Sequence, residues 1–151
     1  AIQAVGMIGS NTATAHLLDL ASKTDYPDER LATTISLGLI GDDKSIPLLQ
    51  ESLEDEEPNI QWDAAIALAK MGDTSGAFII ANLLDRNYLN SFPEVDETEK
   101  TQAIMVAIEI ASMIKTKSLE PKLVTLAESE ENLKIRDAAM KTLLSAYNRV
   151  I

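Results

Sequence analysis

The stretch that decides the fold runs from Ile40 to Asp73 and reads IGDDKSIPLLQESLEDEEPNIQWDAAIALAKMGD. Its second half carries apolar residues at positions i, i+4, i+7, i+8 and i+11, a spacing that places them on one face of an α-helix. These residues are Ile60, Ala64, Ala67, Leu68 and Met71. The first half carries a similar stripe, Ile46, Leu49 and Leu53. The stretch therefore predicts two antiparallel α-helices.

Glycine, aspartate and proline mark the ends of these helices. Gly41 and Gly72 stand where a helix ends, because glycine readily adopts the left-handed conformation that closes one. The aspartates that follow them, at positions 42 and 73, are candidate caps for the next helix. Pro58 lies just ahead of the second helix, where its missing N–H costs nothing.

The same pattern recurs along the chain at a nearly fixed period. Gly38 and Gly41 follow Gly6 and Gly9 by 32 residues, and Gly72 follows Gly41 by 31. The apolar stripe of the second helix recurs from Ala103 to Ile114, and again from Ile135 to Ala146. Self-similarity at such a period is typical of repeat architectures, in which each unit buries its apolar side against a neighbour.

We expect an all-α chain, since the alternation typical of a β-strand is sustained nowhere. The units are predicted at 1–9 (partial), 10–41, 42–72, 73–115 and 116–148, within a single repeat domain spanning 1–151. Helices are expected near 1–8, 12–23, 28–40, 44–55, 59–71, 75–86, 98–114, 118–129 and 132–148. One unit contains an insertion, residues 87–98.

The stretch from Ile40 to Asp73 resembles the HEAT-like repeat of phycobilisome-lyase-type proteins. The likeness rests on the turn at 41–42, the Ile46-Pro47 step, the acidic turn that ends at Pro58 and the alanines of the second helix. This resemblance implies a right-handed α/α superhelix, a HEAT-like solenoid of about four helix pairs plus a partial N-terminal helix, with the second helices lining its concave face. Gln61 stands where the family often has Arg, so we expect the polar ladder between repeats to be broken there.

Composition and charge exclude several classes of function. The 151 residues include 24 acidic and 13 basic ones, a net charge of −11, which argues against binding nucleic acid or an anionic membrane. The absence of cysteine excludes disulfides, thiolate zinc sites and thiol nucleophiles. No segment approaches the roughly 20 apolar residues that a membrane-spanning helix needs. We expect a cytoplasmic protein.

The residues needed for catalysis or metal binding are scarce. His16 is the only histidine, and Leu17 follows it, so the paired His-Glu motifs of HEAT-like deoxyhypusine hydroxylases are missing. The acidic run 94–99 lacks the ligand spacing of a calcium loop. We therefore predict a non-enzymatic protein with no metal and no cofactor, in which the acidic runs form solvated turns.

The side of each second helix opposite the core stripe is the candidate binding surface. It carries an apolar ridge, and large exposed apolar patches usually mark interaction sites. The ridge consists of Leu31, Ile35, Trp62, Ile66 and Met105. Polar residues flank it: Gln3, Asp63, Glu109, Asp137 and Lys141.

Two interpretations of this ridge stay open at the level of sequence. The apolar residues of the insertion could fold back over Trp62 as a lid, or the ridge could form an open groove. These lid residues are Tyr88, Leu89, Phe92 and Val95.

The leading functional hypothesis is a protein-interaction scaffold whose concave face holds a protein or peptide segment. The acidic charge favours a basic partner, and an amphipathic helix suits a groove between helices. The resemblance alone implies the alternative of a bilin-lyase-like helper to chromophore attachment, and a spacer within a larger protein is the third possibility. Both ends of the sequence are apolar, which predicts either a fragment of a longer array or self-association through the ends.

Overall fold

The computed structural model describes residues 11–151, apart from the side chains of residues 11, 12 and 22. Within this range the chain forms α-helices and two short 3₁₀ helices, Asp43–Ser45 and Lys117–Leu119, without any strand. The α-helices are α1 (Asn11–Lys23), α2 (Pro27–Ile40), α3 (Ile46–Ser52), α4 (Pro58–Lys70), α5 (Ala77–Leu83), α6 (Arg86–Asn90), α7 (Glu97–Ile114), α8 (Glu120–Ser129) and α9 (Leu133–Tyr147). The all-α prediction is confirmed. The partial helix at 1–8 lies outside the described residues.

The chain divides into two compact units, with the boundary between Gly76 and Ala77. In the first unit α1 packs against α2, and α4 packs against both α2 and α3. In the second unit α5 packs against α6 and α7, while α9 packs against α7 and α8. Helix pairs of the predicted kind therefore form each unit, and the assignment of all residues to one domain stays a prediction.

The predicted helix-ending glycines are confirmed by their backbone angles. Gly41 and Gly72 have φ values of 68° and 82°, which lie in the left-handed region. The side chain of Asp42 accepts a hydrogen bond from the Lys44 N–H at 3.0 Å, and that of Asp73 accepts one from the Ser75 N–H at 2.8 Å. Both aspartates therefore satisfy backbone donors at the start of the next segment, as the sequence predicts.

The apolar stripes of the second helices form the core. Ile60, Ala64 and Leu68 of α4 are buried, and so are their counterparts Ile135, Ala139 and Leu143 of α9. Burial of these equivalent positions confirms the helical spacing found in the sequence.

Two predicted helices differ from the structure. The segment expected at 44–55 starts with a 3₁₀ turn and ends at Ser52. The segment expected at 75–86 is α5 alone, because Asp85 accepts a hydrogen bond from the Asn87 N–H at 2.9 Å and starts the separate helix α6. An N-cap of this kind begins a new helix where the sequence pattern indicated the end of an old one.

No helix within residues 11–151 combines the length and the apolar character that crossing a membrane requires.

Candidate interaction groove

Helices α2 and α4 approach each other closely in the first unit. A Cβ atom added to Gly38 would lie 2.7 Å from the Cβ of Ala67, closer than two such atoms can approach. Glycine at position 38 is therefore required for the observed separation of the two helices. This contact forms the floor of a groove between α2 and α4.

The groove has a volume of about 320 Å³ and walls that are largely apolar. Ile35 and Ile66 are half-buried, one on each helix, and Leu39 is 62% exposed. An exposed leucine beside two half-buried isoleucines offers apolar surface that a partner could cover. The full lining consists of Ile35, Gly38, Leu39, Asp63, Ile66, Ala67 and Lys70.

Asp63 brings a negative charge into this apolar groove. Its side chain is partly buried, and burial raises the pKa of its carboxyl above the usual 3.8. Among the described residues no hydrogen bond or ion pair satisfies the carboxylate. A desolvated carboxylate without a cation beside it gains more from a positive ligand than one that is fully hydrated.

The structure brings together three of the residues that the sequence singled out, Ile35, Asp63 and Ile66. Leu31 and Trp62 are half-buried on the same two helices but do not line the groove. The sequence reasoning missed Leu39 and Lys70, which lie four residues after Ile35 and Ile66 and thus one turn further along the same face. Extending the predicted ridge by one turn would have identified both.

Comparison with known proteins identifies the type of fold. Residues 15–88 match the family described as HEAT repeats, and this range includes the whole groove. These residues of the chain are therefore similar to HEAT repeats. No curated protein matches the chain. The match is to HEAT repeats in general, so the phycobilisome-lyase type stays a prediction from the sequence.

The other predicted binding residues lie outside the groove. Met105 is half-buried and Glu109 is exposed, both on α7 of the second unit. Asp137 and Lys141 form an exposed ion pair at 2.8 Å on α9. Gln3 lies outside the described residues. A continuous ridge that includes Met105 therefore stays a prediction.

The insertion between repeats is an ordered part of the second unit. Leu89 is fully buried, and the rings of Tyr88 and Phe92 meet edge to face with their centroids 5.1 Å apart. Val95 is half-buried. Arg86, just ahead of the insertion, forms ion pairs within the same unit. The proposed covering of Trp62 by these residues stays a prediction.

A polar contact links α2 to the turn ahead of α4 in the first unit. Arg30 of α2 binds the carboxylate of Asp55 through two hydrogen bonds of 2.9 and 3.0 Å, and Asp55 also accepts from the Glu57 N–H. Burial alone would raise the pKa of Asp55, but the hydrogen bond from Arg30 and the backbone N–H hold it below the usual value. The Arg30–Asp55 pair therefore fixes the turn ahead of α4.

An equivalent contact fixes the turn ahead of α9. Glu130, 75 residues after Asp55, accepts hydrogen bonds of 3.1 and 2.8 Å from Arg86 and one from the Asn132 N–H. The hydrogen bond from Arg86 is the largest cause of the lowered pKa of Glu130. Arg86 also binds Glu97 at 3.0 Å. The guanidinium comes here from the segment before the insertion, and no repeat spacing in the sequence indicated it.

Gln61 keeps one of the contacts that the arginines at equivalent positions make. Its side-chain amide donates to the backbone carbonyl of Asp55 at 2.6 Å, in the same way that Arg136 donates to the carbonyl of Glu130 at 2.9 and 2.6 Å. The substitution of Arg by Gln thus keeps the bond to the preceding turn. Gln61 brings no positive charge that could reach a further carboxylate.

A second, more polar pocket of about 810 Å³ surrounds the Arg30–Asp55 pair. Its acidic lining includes Glu51, Glu54 and Glu56, which are exposed. Their exposure agrees with the prediction that the acidic runs form solvated turns. Among residues 11–151 no three metal-ligating side chains lie close enough to hold an ion.

Proposed function

We propose that the groove between α2 and α4 binds an amphipathic helix of a partner protein, which makes the chain a non-enzymatic interaction scaffold. The partner would place apolar side chains against Ile35, Leu39 and Ile66, and a lysine or arginine opposite Asp63. HEAT repeats commonly serve as interaction scaffolds and are generally not catalytic. The observation that carries the proposal is an unpaired, desolvated carboxylate within an exposed apolar groove.

The energetics favour a basic amphipathic segment. Full burial of a leucine side chain contributes roughly 1.5–3 kcal/mol, so covering the exposed part of Leu39 contributes about 1 kcal/mol. A cation beside Asp63 offsets the desolvation that its carboxylate already carries. The net charge of −11 increases the rate of encounter with basic segments more than it increases the final affinity.

A pair of designed peptides tests the proposal directly. Both carry leucines at helical spacing, but one has lysine and the other glutamate at every polar position. We expect the lysine peptide to bind and the glutamate peptide to bind far more weakly, as measured by fluorescence anisotropy of labelled peptides. Equal affinity for the two peptides, or no binding of either, would contradict the proposal.

Matched variants separate the groove from the general acidity of the chain. Leu39→Ser and Asp63→Asn are each expected to weaken binding of the lysine peptide about fivefold, which corresponds to about 1 kcal/mol. Leu144→Ser and Asp43→Asn make the same chemical changes at exposed positions outside the groove and should leave the affinity unchanged. An equal loss in groove variants and controls would show that binding is not located between α2 and α4.

We extend the proposed contact surface by one helical turn on each of the two helices, to Leu31 of α2 and Trp62 of α4. Trp62 is the only tryptophan, so its emission reports directly on binding near the groove. We expect the lysine peptide to shift the emission of Trp62 in the wild-type chain, and Trp62→Ala to weaken binding while the helical circular-dichroism signal is retained. Unchanged emission at saturating peptide would limit the contact to the groove itself.

A further inference from the structure

The outer face of α9 carries large apolar side chains where an equivalent helix carries small ones. Met140 and Leu144 are 40% and 58% exposed. The positions 75 residues earlier, on α4, are Ala65 and Ala69, which are buried. Ala65 is covered by the segment at Gly76, whose added Cβ would lie 2.8 Å from it. This face of α4 is therefore packed against a neighbouring segment in the first unit, whereas the equivalent side chains of α9 are exposed among the described residues.

The exposed side chains of α9 form a narrow stripe with charges along one edge. At about 100° per residue, Leu133, Met140 and Leu144 fall within a small arc of the helix surface. Leu133 is 72% exposed. Asp137 and Lys141 lie together on one side of this stripe and are both largely exposed. The stripe therefore has apolar ends and centre, and one edge that carries a negative and a positive charge.

We propose that this stripe of α9 binds the same stripe of a second copy of the chain, with the two helices antiparallel. A twofold axis at the level of Ala139 places Leu133 of each copy beside Leu144 of the other. The two Met140 side chains then meet near the axis. Asp137 of each copy lies beside Lys141 of the other, because the axis keeps the charged edges of both helices on the same side.

The order of Asp137 and Lys141 along α9 favours a second copy of the chain as the partner and an antiparallel orientation of the two helices. An antiparallel pair matches each Asp137 with a Lys141, whereas a parallel twofold pair would place the charged edges of the two helices on opposite sides of the interface and form no such pair. The stripe is therefore complementary to itself, which a twofold interface requires. A contact through one helix face is small, so the dimer is weak and its population depends on concentration.

Sedimentation velocity of the full chain over a wide concentration range tests the proposal. We expect the wild-type chain to shift from monomer to dimer as its concentration rises. Leu144→Glu should raise the dissociation constant at least about tenfold, since it places a charge against Leu133 of the other copy. Leu39→Glu makes the same change at an exposed leucine of the first unit and should dimerise like the wild type. A monomer at every concentration, or equal weakening by both variants, would overturn the proposal.

A charge exchange tests the antiparallel register. Asp137→Lys and Lys141→Asp each place like charges together in the homodimer, so either variant alone should dimerise about two- to fivefold more weakly than the wild type. An equal mixture of the two variants restores both opposite-charge pairs and should dimerise more strongly than either alone. A mixture that associates no better than its components would overturn the register. Because this stripe lies on α9, binding of the lysine peptide to the groove should be unaffected by Leu144→Glu.

Discussion

Asp63 shows how a single residue can favour binding at the expense of stability. Burial raises the pKa of its carboxyl, so the folded chain holds the proton more tightly than the unfolded chain does. This contribution favours folding at low pH and is lost as the pH rises through the raised pKa. At neutral pH the charged carboxylate is therefore destabilising, and a cation from a partner relieves that effect.

The first prediction concerns the replacement of this carboxylate. Asp63→Asn is expected to raise the free energy of unfolding at pH 7, while the lysine peptide binds more weakly. Urea denaturation followed by circular dichroism measures the first effect, and anisotropy measures the second. At a pH below the usual aspartate pKa of 3.8 the stability of the variant should no longer exceed that of the wild type. A variant that is less stable than the wild type at pH 7 would contradict this account of Asp63.

The pH dependence of peptide binding follows from the raised pKa of Asp63. A cation opposite Asp63 favours the charged carboxylate, so binding should strengthen as the pH rises through the raised pKa and weaken on acidification. The peptide affinity of Asp63→Asn should change less over this range. A parallel pH profile for both chains would assign the effect to other carboxylates.

At the scale of elements, the separation of α2 and α4 depends on the missing side chain at position 38. Gly38→Ala places a methyl group against the Cβ of Ala67, which forces the helices apart and is expected to lower the free energy of unfolding by about 1–3 kcal/mol. The double variant with Ala67→Gly removes the clash and should recover most of the loss. Chemical denaturation of the four chains in this cycle measures the coupling. If the effects of the two substitutions on the free energy of unfolding were additive, positions 38 and 67 would not share the contact.

The helices themselves could largely be predicted from the sequence because their physical signals are local. Gly41 and Gly72 mark the ends of α2 and α4, and the aspartates that follow them bind backbone donors as expected. Helix α6 was missed because five residues are too few to show a helical period. The sequence pattern instead predicts that these residues belong to the preceding helix and the insertion.

The groove could be predicted only in part. Ile35, Asp63 and Ile66 were identified from helical geometry, since their side of each helix follows from spacing alone. The depth of the groove depends on the approach of Gly38 to Ala67, a distance between helices that no spacing within one helix specifies. The Arg86–Glu130 pair joins residues 44 positions apart across an insertion, so the repeat period did not indicate it.

At the scale of the whole molecule, ion pairs at the turns determine the response to acid. Asp55, Asp85 and Glu130 all have lowered pKa values. Their contribution to stability is present above the usual pKa of a carboxyl and is lost as the pH falls through the lowered values. We therefore expect stability to decline most steeply below pH ~4, where these carboxylates are protonated.

Arg86 provides the sharpest test of this dependence. Arg86→Met keeps the aliphatic stem but leaves the carboxylate of Glu130, which is 6% exposed, without its bidentate partner. We expect a loss of about 1–2 kcal/mol at pH 7 and a shallower decline in stability on acidification. Lys23→Met removes an exposed pair and should change stability by less than about 0.5 kcal/mol. Equal effects of the two substitutions would show that the pair at Glu130 contributes no more than a surface contact.

The turns ahead of α4 and α9 are each held by an arginine that binds an acidic residue, and this determines how such a chain can become longer. In the first unit the arginine that binds the acidic residue of the turn is Arg30, which belongs to α2. In the second unit it is Arg86, which lies at the edge of the insertion. A connection between helices can thus grow by a dozen or so residues if an arginine beside the added segment binds the acidic residue of the following turn. The site of Arg86 is accordingly a natural position for grafting longer loops onto this scaffold without releasing the turn that follows.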